Sequence, residues 1–282
     1  MKKLTLTILT VLFGLTSNVG WSADFQKGLD AAKRGDYATA LKEWQPLAEN
    51  KGILSFMYSK EDIISAQSYL GSLYATGQGV PQDDKTGIKW YRLAAEQGNA
   101  LAQHNLGVMY DKGRGVPQDD KIAEKWYTLA AKQGYANAQY NLGVLYANGE
   151  GVPQDYKTAV KWTRLAAEQR NRSAQYNLGM LYEEGRGVIQ DSETAVKWWV
   201  LAAEQGDADA QHNLGGMYER GRGVIKDYVH AHMWNNIAAS SGNKTASKNR
   251  DIVAKQMTPS QLKKAQKLAR ECVRKKYKGC FE

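Results

Sequence analysis

Three sets of residues in this chain have the types and spacing to do chemistry. The stretch GQGVPQDDK, residues 77–85, places two glycines ahead of two aspartates and a lysine. Such a turn cradles phosphate when it follows a strand and sets a lysine at a fixed distance, and paired acids suit hard cations. Four histidines, His104, His212, His230 and His232, are the zinc candidates. The third set is a pair of thiols, Cys272 and Cys280.

The glycine stretch recurs, which changes its meaning. It returns as GRGVPQDDK at 113, GEGVPQDYK at 149, GRGVIQDSE at 185 and GRGVIKDYV at 221. Five segments align without gaps from Ala66, Ala102, Ala138, Ala174 and Ala210, each start 36 residues after the last. A period of this length marks a copied supersecondary unit.

Within each copy the apolar spacing is helical twice. Ala66, Leu70, Leu73 and Tyr74 form one stripe; Ile88, Tyr91, Leu93 and Ala95, with Trp90 and Ala94, form the second. The glycine stretch therefore joins two antiparallel helices. Gly77 and Gly79 suit the positive φ that ends one helix, and Asp83 or Asp84 caps the next.

That placement removes the first two chemistries. The turn follows a helix rather than a strand, and Lys85 opens the next helix. Asp83, Asp84, Asp119 and Asp120 lie at helix starts, where negative charge is stabilised by about 0.3–1 kcal/mol without a metal. His104 and His212 occupy one slot three repeats apart, too far to share an ion, and His230 and His232 face different ways on one helix. No metal and no cofactor is called for.

The recurring pattern of alanine, LG, tyrosine, GxGV, aspartate, tryptophan, AA and glycine resembles the Sel1-like repeat, a branch of the tetratricopeptide superfamily. The resemblance covers residues 66 to about 242. It implies an all-α fold, a right-handed α-solenoid of stacked antiparallel helix pairs whose first helices line a concave face. Stacked amphipathic hairpins that cannot bury their stripes alone lead to the same architecture.

The flanks complete a domain plan. Residues 1–23 read as a cleavable signal peptide: Lys2 and Lys3, an apolar run from Leu4 to Leu15 too short to span a bilayer, and a cut after Ser22 or Ala23. Residues 24–50 resemble a plain tetratricopeptide unit, with packing residues Ala40, Leu41, Trp44 and Leu47, and would cap the stack. An insertion at 51–65 carries Ile53, Leu54, Phe56, Met57 and Tyr58, read as extra helical turns on the first repeats or as an exposed contact. The repeats fill 66–245. Residues 246–282 form capping helices, the second opened by Thr258 and Pro259.

Charge is concentrated at that end. Twelve of the 38 Lys and Arg but three of the 29 Asp and Glu lie from Lys244 to Glu282, so the chain's net +9 sits there and the body is near neutral. Such a segment is a solvated basic surface or a site for an anionic polymer or membrane. The stretch CVRKKYKGC resembles the spacing of helix-linking disulfides in the cysteine-rich Sel1-like group, and in an exported protein Cys272 and Cys280 should oxidise. Some members of that group are described as penicillin-binding or β-lactamase-like. The matching motifs here, Ser241 to Lys244, Ser260 to Lys263 and Lys85 to Gly87, are chance or copy pattern, and no S-D-N accompanies them.

Function is expected where the copies vary. Positions three, seven, ten and eleven of the first helix lie opposite the packing stripe and differ most between repeats; they include His104, Asp111, Tyr140, Tyr176, Glu183, Glu184, His212 and Arg220. Position four holds Tyr69 and then an amide ladder, Asn105, Asn141, Asn177 and Asn213. In related solenoids such asparagines bond the backbone of an extended peptide; alternatively they bond neighbouring repeats. Tyr140 and Tyr176 beside Glu183 and Glu184 suit a peptide with apolar and basic groups. The expected protein is a non-enzymatic, monomeric scaffold, periplasmic or secreted. It would bind a protein or peptide, with no nucleic acid and no stable membrane anchor. The rival readings are a β-lactamase-like hydrolase and anion binding through the basic segment.

Overall fold

The computed structural model describes residues 22–49 and 58–280, and among these every regular element is an α-helix. The proposed signal segment and Ile53, Leu54, Phe56 and Met57 of the insertion lie outside the described residues. Two compact units divide the chain, Met1–Gln133 and Gly134–Glu282. Both are built from antiparallel helix pairs.

The N-terminal unit contains α1 (Ala23–Lys33), α2 (Tyr37–Glu49), α3 (Lys60–Thr76), α4 (Asp84–Glu96), α5 (Ala100–Asp111) and α6 (Asp120–Lys132). The described end of the insertion is helical: residues 60–64 lengthen α3, Ile63 is buried, and the Tyr58 hydroxyl donates to Asp24 at 2.8 Å. In the C-terminal unit three pairs follow: α7 (Ala136–Asn148) with α8 (Tyr156–Glu168), α9 (Arg172–Glu184) with α10 (Ser192–Ala203), and α11 (Ala208–Arg220) with α12 (Tyr228–Ser240). Two closing helices, α13 (Lys244–Ala254) and α14 (Pro259–Arg274), both pack on α12.

The connector works as punctuation and as a contact. Gly77 ends α3 at φ 68°, and Asp83 starts α4 by accepting from the Thr86 amide at 3.1 Å. Asp119, Asp155, Asp191 and Asp227 cap the later second helices in the same way, so the first acid of the pair is the cap. The second acid links repeats: Asp84 pairs with Arg114 of the next connector. Gly79 adds a close approach. At φ 75° a Cβ there would lie 2.8 Å from the Tyr37 carbonyl carbon, so a bare backbone is required.

Burial follows the two stripes, with Tyr74 and Trp90 half-buried and Leu93 turned out. Ala66, Leu70, Leu73, Ile88, Tyr91, Ala94 and Ala95 are buried as expected, but Leu93 is 45% exposed, and its copies Leu129, Leu165 and Leu201 are exposed too. Two residues beyond Tyr91, a side chain has turned about 200° around a 3.6-residue helix and faces away from the packed neighbour.

A buried glutamine, invisible to the apolar pattern, ties the layers together. Gln103 donates to Ala95 O of the preceding pair at 3.0 Å while its own Oε1 accepts from Gln133 at 2.7 Å. Gln175 does the same with Ala167 O and Gln205. Each bond adds a second donor to one of the last carbonyls of a second helix, which already accepts from an amide of its own turn. Gln67 makes it across the insertion, donating to Ala48 O at 3.2 Å, so α2 stands in the place of a second helix. At the far end the chain breaks. Gln211 donates to Ala203 O, but Ser241 stands where the partner glutamine belongs, and the buried Gln211 Oε1 has no hydrogen-bond partner.

Gln175→Leu should therefore lower unfolding stability by about 1–3 kcal/mol, because it removes the bonds to Ala167 O and from Gln205 and leaves the Gln205 amide without that acceptor. Ser241→Gln should raise it by about 1 kcal/mol. Urea denaturation followed by circular dichroism checks both signs.

Candidate peptide-binding face on the first helices

The variable positions share one side of the first helices, where side chains of the second helices reach some of them, and the two units show different versions of that face. In the N-terminal unit it is largely occupied by its own contacts. Ser68, Ser72 and Ala75 are buried, and Tyr69 stacks on Trp44 with ring centres 4.9 Å apart. These positions of the first repeat complete the core beneath α3 instead of lining an open surface.

His104 and Asp111 are partly drawn into the packing. His104 Nδ1 lies 3.2 Å from Asn105 Oδ1, and its ring sits 5.8 Å from Tyr127. Burial pushes its pKa down to about 4, opposed by the Asn105 bond, so His104 is neutral near pH 7. Asp111 accepts from the Tyr127 hydroxyl at 3.2 Å and pairs with Lys112.

The C-terminal unit holds the more open version. A pocket of 570 Å³ opens between α7 and α9. Val144, Ala147, Asn148, Tyr176, Asn177, Met180 and Glu184 line it, all at variable or ladder positions. Beneath them lie Gly143, Leu181 and Thr163 of α8. Tyr156, Gln154 and Arg186 close one edge, with Arg186 bonded to Glu184 at 2.8 Å and seated over the Tyr156 ring.

The amide ladder makes contacts between repeats. Asn177 Nδ2 lies 3.5 Å from the Tyr140 hydroxyl, and Asn213 Nδ2 lies 3.5 Å from Met180 Sδ; Asn141 is half-buried. Burial raises the Tyr140 pKa against the opposing Asn177 bond. Tyr176 is raised by burial first and then by the carboxylates of Asp209, Asp207 and Glu184, which surround its hydroxyl with negative potential.

Other expected residues are turned elsewhere. Glu183 accepts from Ser192 Oγ and pairs with Arg222 of the next connector, both at 2.7 Å, and so acts between repeats. His212 Nδ1 lies 3.0 Å from the buried Asn235, Gly216 is buried, and the Arg220 guanidinium lies over Gly216. Thus Tyr176, Asn177 and Glu184 share one pocket, while Glu183, His212 and Arg220 do not line it.

Thr163, Met180 and Val144 were the harder residues to find. Val144 and Met180 sit in the varying columns of the first helix, but Thr163 belongs to the second helix. There the column reads Tyr91, Tyr127, Thr163, Trp199 and Asn235, and that variation is the available signal.

At the other end Cys272 and Cys280 lie at disulfide distance, and Gly279 N donates to Glu204 at 3.2 Å, so the basic tail folds back to the end of α10. Thr258 and Gln261 form a reciprocal capping box around Pro259. Ser241 Oγ bonds the Ile237 carbonyl of its own helix. No group of three or more His, Cys, Asp or Glu among the described residues has metal-binding geometry. Likewise, no described helix is long and apolar enough to cross a membrane.

Stacked helix pairs with this face define an α-solenoid of the tetratricopeptide-like superfamily. The Sel1 repeat family model matches residues 64–99, 100–135, 136–171, 172–207 and 208–243, and the chain belongs to that family. A Sel1 repeat protein from Oxalobacter formigenes is similar in structure at TM-score 0.70 and 34% identity, with 81% of this chain and 87% of that one covered. A protective antigen of uropathogenic Escherichia coli with an SLR fold is similar at TM-score 0.53 and 29% identity, covering 92% and 69%. No curated protein matches the chain. Sel1 repeats are scaffolds that commonly mediate protein interactions.

The depressed His104 pKa has a sign. Between about 4 and the unfolded value near 6.5 the unfolded chain binds the extra proton, so stability is full above pH 6.5 and falls as pH drops toward 4. Thermal melts at pH 7 and pH 5 should show a smaller loss for His104→Tyr than for the native chain.

Proposed function

We propose that this protein is an exported, non-enzymatic scaffold that binds a protein or peptide along the concave face of its first helices. One observation carries the reading. The residues that differ most between otherwise identical copies converge, in the C-terminal unit, on an open pocket rimmed by amides and aromatic rings.

Export draws support from the N-terminal sequence and from the disulfide-distance cysteines, since disulfides persist in oxidising compartments. Thiol titration of the native protein in denaturant should find no free thiol. Two free thiols would remove this support.

The location of binding is tested by affinity capture from an extracytoplasmic fraction with three baits. Native protein should retain a partner that Asn141→Ala/Asn177→Ala loses and Lys263→Gln/Lys264→Gln/Lys267→Gln keeps. The opposite pattern, with steep salt dependence, assigns binding to the basic α14 surface instead. Neutralisation is the better probe there, because deleting the segment would uncover the core that Val253, Ala265 and Ala269 cover.

A further inference from the structure

One column of the second helix decides whether the first-helix face is closed or open. Its members lie 20 residues after the glycine of the LG pair, and each packs on that glycine. A Cβ on Gly71 would lie 2.5 Å from the Tyr91 ring, one on Gly107 2.6 Å from Tyr127, and one on Gly179 2.5 Å from Trp199. Trp44 stands on Gly28 in the same manner. All four rings are at most 4% exposed. The glycine and its neighbours thus form a slot that fits an aromatic ring.

The filled slots show which way a ring runs. The Tyr91 hydroxyl ends at Ser72 Oγ, 3.0 Å away, and the Tyr127 hydroxyl ends at Asp111, so each ring extends from the second helix toward positions seven and ten of the first. In the third repeat those positions are Val144 and Ala147, and the column residue is Thr163, which is too short to reach them. All three line the 570 Å³ pocket. The fifth repeat also has a short residue, Asn235, but there His212 bonds it and Arg220 covers the adjacent Gly216. In the third repeat Thr163 covers Gly143 itself, its Oγ1 lying against the place a Cβ would take, and the pocket begins beyond it, toward Val144 and Ala147, where the neighbouring repeats carry the rest of a ring.

Resting on the groove reading above, we propose that this pocket accepts an aromatic side chain presented by a basic peptide segment of the partner. The floor is apolar, from Val144, Ala147, Leu181 and Met180, whose thioether makes favourable contacts at a ring edge. The rim amides of Asn148, Asn177 and Gln154 can meet peptide backbone. Charge selects the flanks: Glu184 shares Arg186 at the rim and Asp207 lies 3.7 Å from Arg172, but with Asp209 the acids near the Tyr176 hydroxyl outnumber these bases and favour Lys or Arg beside the ring.

The test uses synthetic acetyl-Gly-Lys-Tyr-Lys-Gly-amide and counterparts with Ala or Leu at the centre or Glu at the flanks. Binding is read from the methyl resonances of Met180 and Val144 in the full chain. The tyrosine peptide should shift both at millimolar concentration, and Ala or Glu replacement should weaken binding at least about tenfold. Thr163→Tyr, which supplies the ring from within as in the first two repeats, should also lose at least about tenfold while melting no lower than the native protein. Thr163→Ser should stay within about twofold. Should Thr163→Tyr melt lower, Val144→Phe, which plugs the mouth from the half-exposed side, replaces it.

Equal binding by the Ala peptide, or by the plugged variants, overturns the slot. If the natural partner still requires Asn141 and Asn177 but tolerates Thr163→Tyr, the groove reading stands and the slot falls. If the partner ignores the asparagine pair while the tyrosine peptide still depends on Thr163, the groove reading falls and the slot stands.

Discussion

The constraint on which this architecture depends is the need of the glutamines buried between layers to find hydrogen-bond partners inside a stack that excludes water. A chain of side-chain amides meets it. One glutamine reaches across to the preceding layer, and the next holds it from behind, so each first helix is fixed in height and rotation against its neighbour. Apolar contacts between Ala, Leu and Tyr supply the greater part of the driving force, but they tolerate sliding. A hydrogen bond made by a buried side-chain amide does not, because a shift leaves that amide unpaired.

With the layers fixed in this way, the glycines acquire their meaning. The second glycine of the connector lets a backbone touch the start of the preceding second helix, and the glycine of the LG pair lets a ring from the second helix settle on the first. Only the latter leaves a choice. Filled by Tyr or Trp, the site is core; left short by Thr163, the same geometry becomes a pocket on the face where the copies differ.

Much of this was legible without coordinates because a repeat carries its own comparison set. The period of 36, the two stripes and the capping aspartates placed the helices, and the varying columns with the amide ladder named Tyr176, Glu184 and Asn177, which line one pocket. Leu93 was misplaced because an apolar residue next to a stripe is indistinguishable from one within it until the neighbouring helix is present. Glu183 and His212 belonged to varying columns but are taken up by partners within the chain, Arg222 and Asn235.

The sequence by itself determined the repeat, its helix pairs, their boundaries and the family, since these follow from local periodicity and capping, which act over a few residues. The tertiary structure alone decided which polar residues were buried and which varying residues faced open space. Gln103 and Gln133 are thirty residues apart, and although each recurs at its position in the copies, nothing local tells a buried amide from a surface one. Only stacking brings one against the other and the first against the Ala95 carbonyl. Thr163 is likewise an unremarked helix residue until Gly143, Val144 and Met180 converge around it, because an empty volume is a property of several chain segments at once.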